Sequence, residues 1–272
     1  MATDSEWQAW GARDPYFAVL TNPKYRSAVL TPERKQEFFV SGKNTVDSIL
    51  SKCRHYLDPG FAPSRVLDFG CGVARLSIPF AAHAQEVVGV DVAPAMLAEA
   101  RRNCAEQGCS NVTLVLSDDS LSQVNGQFDL VLSCIVLQHV ELARGRTLFA
   151  ALVEKIRPGG CGVIQLPYGC EFYPDTFGVP PPPPARPPPS GFVAEFTTVA
   201  RRILARFGSS PPAPEVTPPL EPPDPEMQMN YYNLSELMFI LQRAGIHHVV
   251  SDFTNHGGAL GVFMFFQKPL MS

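Results

Sequence analysis

Between residues 65 and 166 one polarity pattern repeats: a short apolar run, then a longer stretch in which apolar positions return every three or four residues. The runs at 65–69, 86–90, 112–116, 128–133 and 161–166 have the length of buried strands. The stretches 73–83, 94–107 and 143–157 have the helical period, the last stopped by Pro158-Gly159-Gly160. Strand alternating with helix predicts a parallel sheet with helices on both faces. Towards the end, 234–244 reads as a helix closed by Gly245, and 247–254 and 260–267 read as strands around Asn255-His256-Gly257-Gly258. So short a loop makes that pair antiparallel. The expected fold class is α/β: a doubly wound sheet of about seven strands, mostly parallel with an antiparallel last strand.

Two regions depart from the pattern. Residues 1–60 form an N-terminal extension of helix-like and turn-rich sequence, with Asp14-Pro15 and Asn22-Pro23 as breakers and Trp7, Trp10, Tyr16, Phe17, Tyr25, Phe38 and Phe39 as its apolar mass. These rings either cover one end of the sheet or close over a ligand as a lid that excludes water. Residues 171–230 carry two proline blocks, 180–189 and 211–225, around Gly191–Phe207, where apolar residues recur at helical spacing and Arg201, Arg202 and Arg206 take the other side. Prolines lack the donors a sheet needs, so this is an insertion, either a cap on a substrate pocket or an external decoration. The domains expected are therefore 1–60, a core at 61–170, the insertion 171–230, and 231–272 completing the sheet.

The chemistry concentrates where the first strand ends. Val66-Leu67-Asp68-Phe69-Gly70-Cys71-Gly72 runs from an apolar strand into a Gly-x-Gly turn and a helix, a unit that lets backbone approach a nucleotide-like ligand closely. The next strand, Val87-Val88-Gly89-Val90-Asp91, ends in an acid about twenty residues on, where a ribose diol is normally gripped. Asp68 separates the ligands: a carboxylate two residues before the first glycine repels a dinucleotide's pyrophosphate and attracts a cation. Asp118 and Asp119 add acid after the third strand, and Val73, Ala74 and Arg75 stand where a third fingerprint glycine would be.

These pieces resemble the class I S-adenosylmethionine-dependent methyltransferases. VLDFGCG (66–72), VVGVDVAPAML (87–97), LVLSDDSL (114–121), FDLVLSCIVLQHV (128–140) and IRPGGCGVIQLP (156–167) come in that family's order, over roughly residues 40–170, and 231–268 resembles its final helix and strand pair. The resemblance implies a Rossmann-like sheet and S-adenosyl-L-methionine as cofactor. It implies that Gly70, Cys71 and Gly72 line the methionine part and that Asp68 reaches it through its amino group or a water. Asp91, with Val92 beside it, would hold the ribose hydroxyls. Met96 would pack on the adenine, Asp118, with Asp119 next to it, would meet its amino group, and Ser133 and Cys134 would lie beneath the cofactor. Ser41-Gly42-Lys43 could meet the cofactor's carboxylate, but Lys43 reads rather as a solvated helix residue.

Methyl transfer from a sulfonium is mostly positioning and dehydration, with a base needed when the acceptor is a hydroxyl or an ammonium. His139 after the fourth strand, Tyr168 after the fifth and His256 in the last turn are the candidates on the ligand-facing rim. His55, His83, His247 and His248 read as packing or surface residues. The expected acceptor is a small molecule. The alternatives are a protein or peptide held by the insertion, or a non-catalytic scaffold that keeps the fold.

Composition narrows this further. With 272 residues, 45% of them hydrophobic, and a formal charge of −4, the chain can bury a full core and has no general affinity for polyanions. A base-modifying nucleic-acid enzyme would carry an Asn/Asp-Pro-Pro-aromatic loop after the fourth strand, where this chain reads Ser133-Cys134-Ile135-Val136. No nucleic-acid partner is expected. Seven scattered cysteines with no C-x-x-C pair predict free thiols and no metal site. No apolar run spans a bilayer and MATDSEWQAW is unlike a signal peptide, so the expected location is cytoplasmic.

Overall fold

The structure, a computed structural model, describes residues 2–181 and 223–270. The helix expected within 191–207 and nearly all of both proline blocks lie outside them.

Seven strands, β1 Arg65–Phe69, β2 Glu86–Asp91, β3 Val112–Leu116, β4 Phe128–Ser133, β5 Ile156–Cys170, β6 Val249–His256 and β7 Ala259–Gln267, form one sheet in the order β3-β2-β1-β4-β5-β7-β6. The first five are parallel, and β7 runs antiparallel to both β5 and β6. Side chains alternate between two cores, as the period of two requires. Leu67, Phe69 and Ile164 join one cluster with Leu148, Leu152, Leu237 and Leu241; Val66, Leu130 and Val163 join another with Val46, Leu50 and Phe80. The first core is closed by α6 (Leu142–Lys155) and α7 (Leu234–Arg243), the second by α3 (Pro32–Tyr56) and α4 (Ser77–Ala81). The strand order reverses between β1 and β4, which is where such sheets open a crevice at their carboxyl ends.

Three expected elements are corrected. The helix at 73–83 is only α4, because the glycine turn continues through residue 76 with Ala74 itself left-handed at φ 68°. β5 begins at residue 156 and passes through Pro158-Gly159-Gly160. The reason is pairing from the far end of the chain: Gly159 N–H donates to Lys268 O and Lys268 N–H to Gly160 O, at 2.8 and 2.9 Å, while a register shift opposite β4 absorbs the extra residues. β6 starts at Val249, two residues later than its apolar run.

The N-terminal extension is helical, with α1 (Ala2–Arg13) and α2 (Pro15–Val19) preceding α3. Trp10, Tyr16, Tyr25 and Phe38 are buried together with Val73 and Met96. Tyr16 reaches α5 (Pro94–Glu106), its hydroxyl lying 2.6 Å from Glu99 Oε1 and 2.8 Å from Asn103 Oδ1. Most of the rings therefore seat the extension on the sheet; Trp7 is the exception that matters below.

Candidate active site

The turn after β1 is built by backbone. Gly70 and Cys71 both donate to Val90 O, at 2.7 and 2.9 Å, and Gly70 and Gly72 are left-handed at φ 75° and 53°. A Cβ on Gly70 would stand 2.3 Å from Val136 Cγ2, and one on Gly72 would stand 2.6 Å from Val19 Cγ2. Glycine is required twice over, for the conformation and for the approach of Val136 and Val19.

Asp91 fastens this turn to the next one. Its two oxygens accept from Gly72 N–H and Ala93 N–H, both at 2.9 Å. Burial pushes its carboxyl up to about 6, against the pull of those amides. Each oxygen keeps a lone pair for another donor.

Above these turns lies a cavity of about 840 Å³ counted out to its mouth, a size usual for small-molecule sites. Of the cofactor-site and base candidates singled out from the sequence, Gly70, Gly72, Asp91, Val92, Met96, Asp119, Cys134 and His139 line it. The N-terminal extension contributes Asp4, Trp7, Ala18 and Val19.

Six expected residues are not cavity walls. Asp68 is 2% exposed and accepts a 2.6 Å bond from Ser77 Oγ, with its carboxyl raised to about 6 by burial. The Cys71 thiol is turned toward β2, 3.1 Å from where a Gly89 Cβ would stand, and burial raises it well above the ordinary thiol range. Asp118 closes its own turn: it accepts from Ser120 N–H, Ser120 Oγ and Ser122 N–H at 2.8–3.0 Å and from Ser122 Oγ. Those bonds hold its carboxyl below the usual range and leave the wall to Ser117 and Asp119. Ser133 is fully buried, its hydroxyl without a hydrogen-bond partner among the described residues. Tyr168 packs edge-on to Phe253 of β6, with centroids 5.7 Å apart. His256 is exposed at the end of β6, three strands beyond β4 and so roughly 14 Å to the side at one strand spacing each.

His139 is placed differently. It closes a 3₁₀ turn, Leu137–His139, is 8% exposed, and its Nδ1 lies 2.7 Å from Gln228 O. A carbonyl only accepts, so Nδ1 carries the proton and Nε2 the lone pair. Burial lowers its pKa below the ordinary value, favouring the neutral ring. The Trp7 ring stands 4.8 Å away, so the extension supplies one apolar wall of the cavity.

Sequence reasoning missed two cations. Arg144 bridges Asp4 and Asp119 at 2.6 Å each, tying α1 to the loop after β3 across the cavity. Arg75 is 5% exposed, lines the cavity, and its Nε has no hydrogen-bond partner among the described residues. Among the described residues its side-chain hydrogen bond is Nη1 to Thr45 Oγ1 at a long 3.5 Å, and burial lowers its pKa. Gly42 permits the arrangement, since a Cβ there would stand 2.2 Å from Arg75 O. Lys43 is exposed on α3 and paired with Asp47 at 2.6 Å, the solvated helix residue the sequence reading favoured, and Arg75 is the buried cation. Asp68 is near enough to favour its charge, but no carboxylate among the described residues forms an ion pair with it, and a buried guanidinium in that state is suited to a ligand's carboxylate. The position of Arg75 in the glycine fingerprint was the available signal; nothing local marked Arg144.

All seven cysteines are free, and no group of three His, Cys, Asp or Glu among the described residues is placed to hold a metal. Among the described residues no helix is long and apolar enough to cross a membrane.

Comparison with known proteins agrees with this geometry. A family model described as a methyltransferase domain matches residues 66–160. A ubiquinone biosynthesis O-methyltransferase of Ruegeria pomeroyi is 36% identical over 100 residues, covering 37% of this chain and 40% of that protein. A 23S rRNA (uracil(1939)-C(5))-methyltransferase of Shewanella amazonensis is 38% identical over 71 residues, covering 26% of this chain and 16% of that protein. Among solved structures, the magnesium protoporphyrin IX methyltransferase of Synechocystis PCC 6803 with bound S-adenosylmethionine superposes with a TM-score of 0.57 at 16% identity, over 98% of each chain. The family match takes in the glycine-turn core, and the chain covers less than half of the length of these curated relatives.

Proposed function

Because the chain belongs to the class I S-adenosylmethionine-dependent methyltransferases, we propose that it transfers a methyl group from S-adenosylmethionine to a hydroxyl of a small organic acceptor, with His139 as general base. The observation that carries this reading is the protonation pattern of His139: a buried neutral imidazole in the cavity wall, its Nδ1–H given to Gln228 O and Nε2 left basic.

The residues present fit the cofactor. The Gly70–Gly72 backbone admits it, and the free lone pairs of Asp91 suit ribose hydroxyls. Val92 and Met96 offer apolar walls for a purine, Asp68 lends negative charge behind the turn, and the unpaired Arg75 accepts the carboxylate. When bound, S-adenosylmethionine supplies an electrophilic methyl on a sulfonium that is already a good leaving group. The protein's task is then to orient an acceptor, keep water out and remove a proton. Trp7 and the Asp4–Arg144–Asp119 bridge roof the cavity, and Nε2 of His139 takes the acceptor's hydroxyl proton. A roofed cavity favours a small acceptor over a peptide groove. Neither the charge of −4 nor Ser133-Cys134-Ile135-Val136 favours a flipped base as acceptor.

The reading is tested by incubating the protein with methyl-tritiated S-adenosylmethionine and separated metabolite, RNA and protein fractions. Label is expected in small hydroxylated metabolites, and its transfer should be lost in His139→Gln. Label confined to RNA or protein, or undiminished transfer by the variant, overturns it.

A further inference from the structure

The segment that returns to the core after the insertion makes no element of its own, yet its bonds are unusually directed. At its start, Asp224 pairs with Arg13 at 2.9 Å and with Arg26, so it is fixed to the end of α1 and to the turn that follows α2. Two residues on, Glu226 N–H donates to Glu6 Oε2 of α1 at 2.9 Å. Gln228 O then meets His139 Nδ1. Asn230 binds Gln138 O twice, through its backbone N–H at 2.7 Å and its Nδ2 at 3.1 Å. Finally Tyr232, 2% exposed, sets its hydroxyl 2.9 Å from Leu137 O and 3.0 Å from Val140 O. Every residue of the 137–139 turn is therefore held by this one stretch, and the stretch is anchored at its other end on the N-terminal extension.

We propose that Asp224–Tyr232 is a positioning strap: its Gln228 carbonyl selects the Nδ1–H tautomer of His139, and its anchorage on Arg13 and Arg26 ties that state to the seating of the N-terminal extension. The physical reason is that an imidazole's tautomer is set by the bond its other nitrogen makes, and the bond here comes from a main-chain carbonyl whose place depends on the strap's two ends. With Asn230 and Asp224 released, that carbonyl is free to leave the ring, water reaches Nδ1, and the two neutral tautomers exchange. Since α1 also carries Asp4 and Trp7, the base and the roof of the cavity are held by the same fastening. The consequence for catalysis rests on the reading of His139 as the base. The location of the ring proton does not, and is measured separately.

The test uses the full-length chain labelled with 15N-histidine, with S-adenosylhomocysteine as the bound probe and His139 assigned from the spectrum of His139→Gln. The wild-type ring should carry its proton on Nδ1 alone and titrate below the ordinary histidine value. The other titratable and charged groups lining the cavity are Asp4 from α1, Arg75 after β1, Asp91 at the end of β2, Asp119 after β3, Cys134 after β4 and Arg144 from α6, and none of them is altered in the variants. In Asp224→Ala/Asn230→Ala the ring should show both neutral tautomers and titrate closer to 6.5, while calorimetry gives an S-adenosylhomocysteine affinity within threefold of wild type. Arg13→Gln/Arg26→Gln, which leaves the strap's own residues intact, should give the same spectral change. A wild-type ring protonated on Nε2, or an unchanged Nδ1–H signal in both double variants, overturns the strap. Full turnover by His139→Gln overturns the base reading instead and leaves the spectral result to decide the strap alone.

Discussion

The two halves of the cavity are made in different ways. The half formed by the β1 and β2 turns uses residues 68–96, close in sequence, and much of its work is done by backbone: left-handed glycines, amides given to Val90 O, and a carboxylate that accepts two N–H groups. The half formed by His139, Trp7 and Arg144 collects residues from position 4 to position 228, joined by side-chain ion pairs and one main-chain carbonyl. Backbone turns of the first kind are hard to alter without losing the fold. Contacts of the second kind can be exchanged one at a time. A chain built this way keeps one ligand while its second ligand is free to change; the methyltransferase-domain match, residues 66–160, takes in the first half together with His139 and Arg144 but reaches neither Trp7 nor Gln228.

Substitutions that separate the halves should break or sharpen this contrast. The largest effect is expected at His139. His139→Gln should lower turnover by about 10²–10⁴-fold, the usual contribution of a positioned base, with S-adenosylhomocysteine affinity within threefold. Loss of affinity on the same scale would show that the halves are not separable.

Asp91→Asn should act in the opposite sense. It removes charge-assisted bonds to the ribose, about 1.5–3 kcal/mol each, and should weaken S-adenosylhomocysteine by roughly 10- to 150-fold or more. Calorimetry giving wild-type affinity would remove Asp91 from the site. Asparagine is the milder replacement, because its single Oδ1 can still accept from one of the Gly72 and Ala93 amides, whereas alanine leaves both without an acceptor.

Arg75→Met is a finer cut within the cofactor half. Affinity for S-adenosylhomocysteine should fall roughly 10- to 100-fold, while 5′-methylthioadenosine, which lacks the carboxylate, binds within threefold of wild type. Equal losses for both ligands would mean that Arg75 shapes the cavity and meets no carboxylate.

The smallest effect is on stability. Asp68 has a folded-state pKa of about 6 against an ordinary 3.8, so between those values the folded protein holds a proton the unfolded chain has released. Its unfavourable contribution grows as pH rises through that window and is complete above about 6. Asp68→Asn should therefore raise the ligand-free stability at pH 7.5 by on the order of 2 kcal/mol, with the gain vanishing toward pH 4. Denaturant unfolding at the two pH values measures it, and a variant less stable at pH 7.5 would contradict the sign.

What could be read from the chain follows the same division. The strand and helix alternation, the glycine turn and the acid at the end of β2 were legible because each depends on residues a few positions apart: a period, a φ only glycine adopts easily, a strand end. Where the reading failed, a partner from elsewhere had intervened. Lys268 drew Pro158-Gly159-Gly160 into β5, and Ser120 and Ser122 turned Asp118 away from the cavity. Tyr168 and His256 are on the ligand side in sequence terms, but the strand order β5-β7-β6 carries His256 to the far edge and sets Tyr168 against Phe253.

The sequence alone thus determined the sheet and the nucleotide-like half of the site, because both are consequences of local backbone chemistry. Only the tertiary structure decided which histidine is buried in the cavity wall, which arginine is buried there with no ion pair among the described residues, and that Gln228 and Trp7 meet at His139. Those facts depend on how elements far apart in the chain pack and on which polar groups packing leaves unpaired. No short stretch of sequence carries that information.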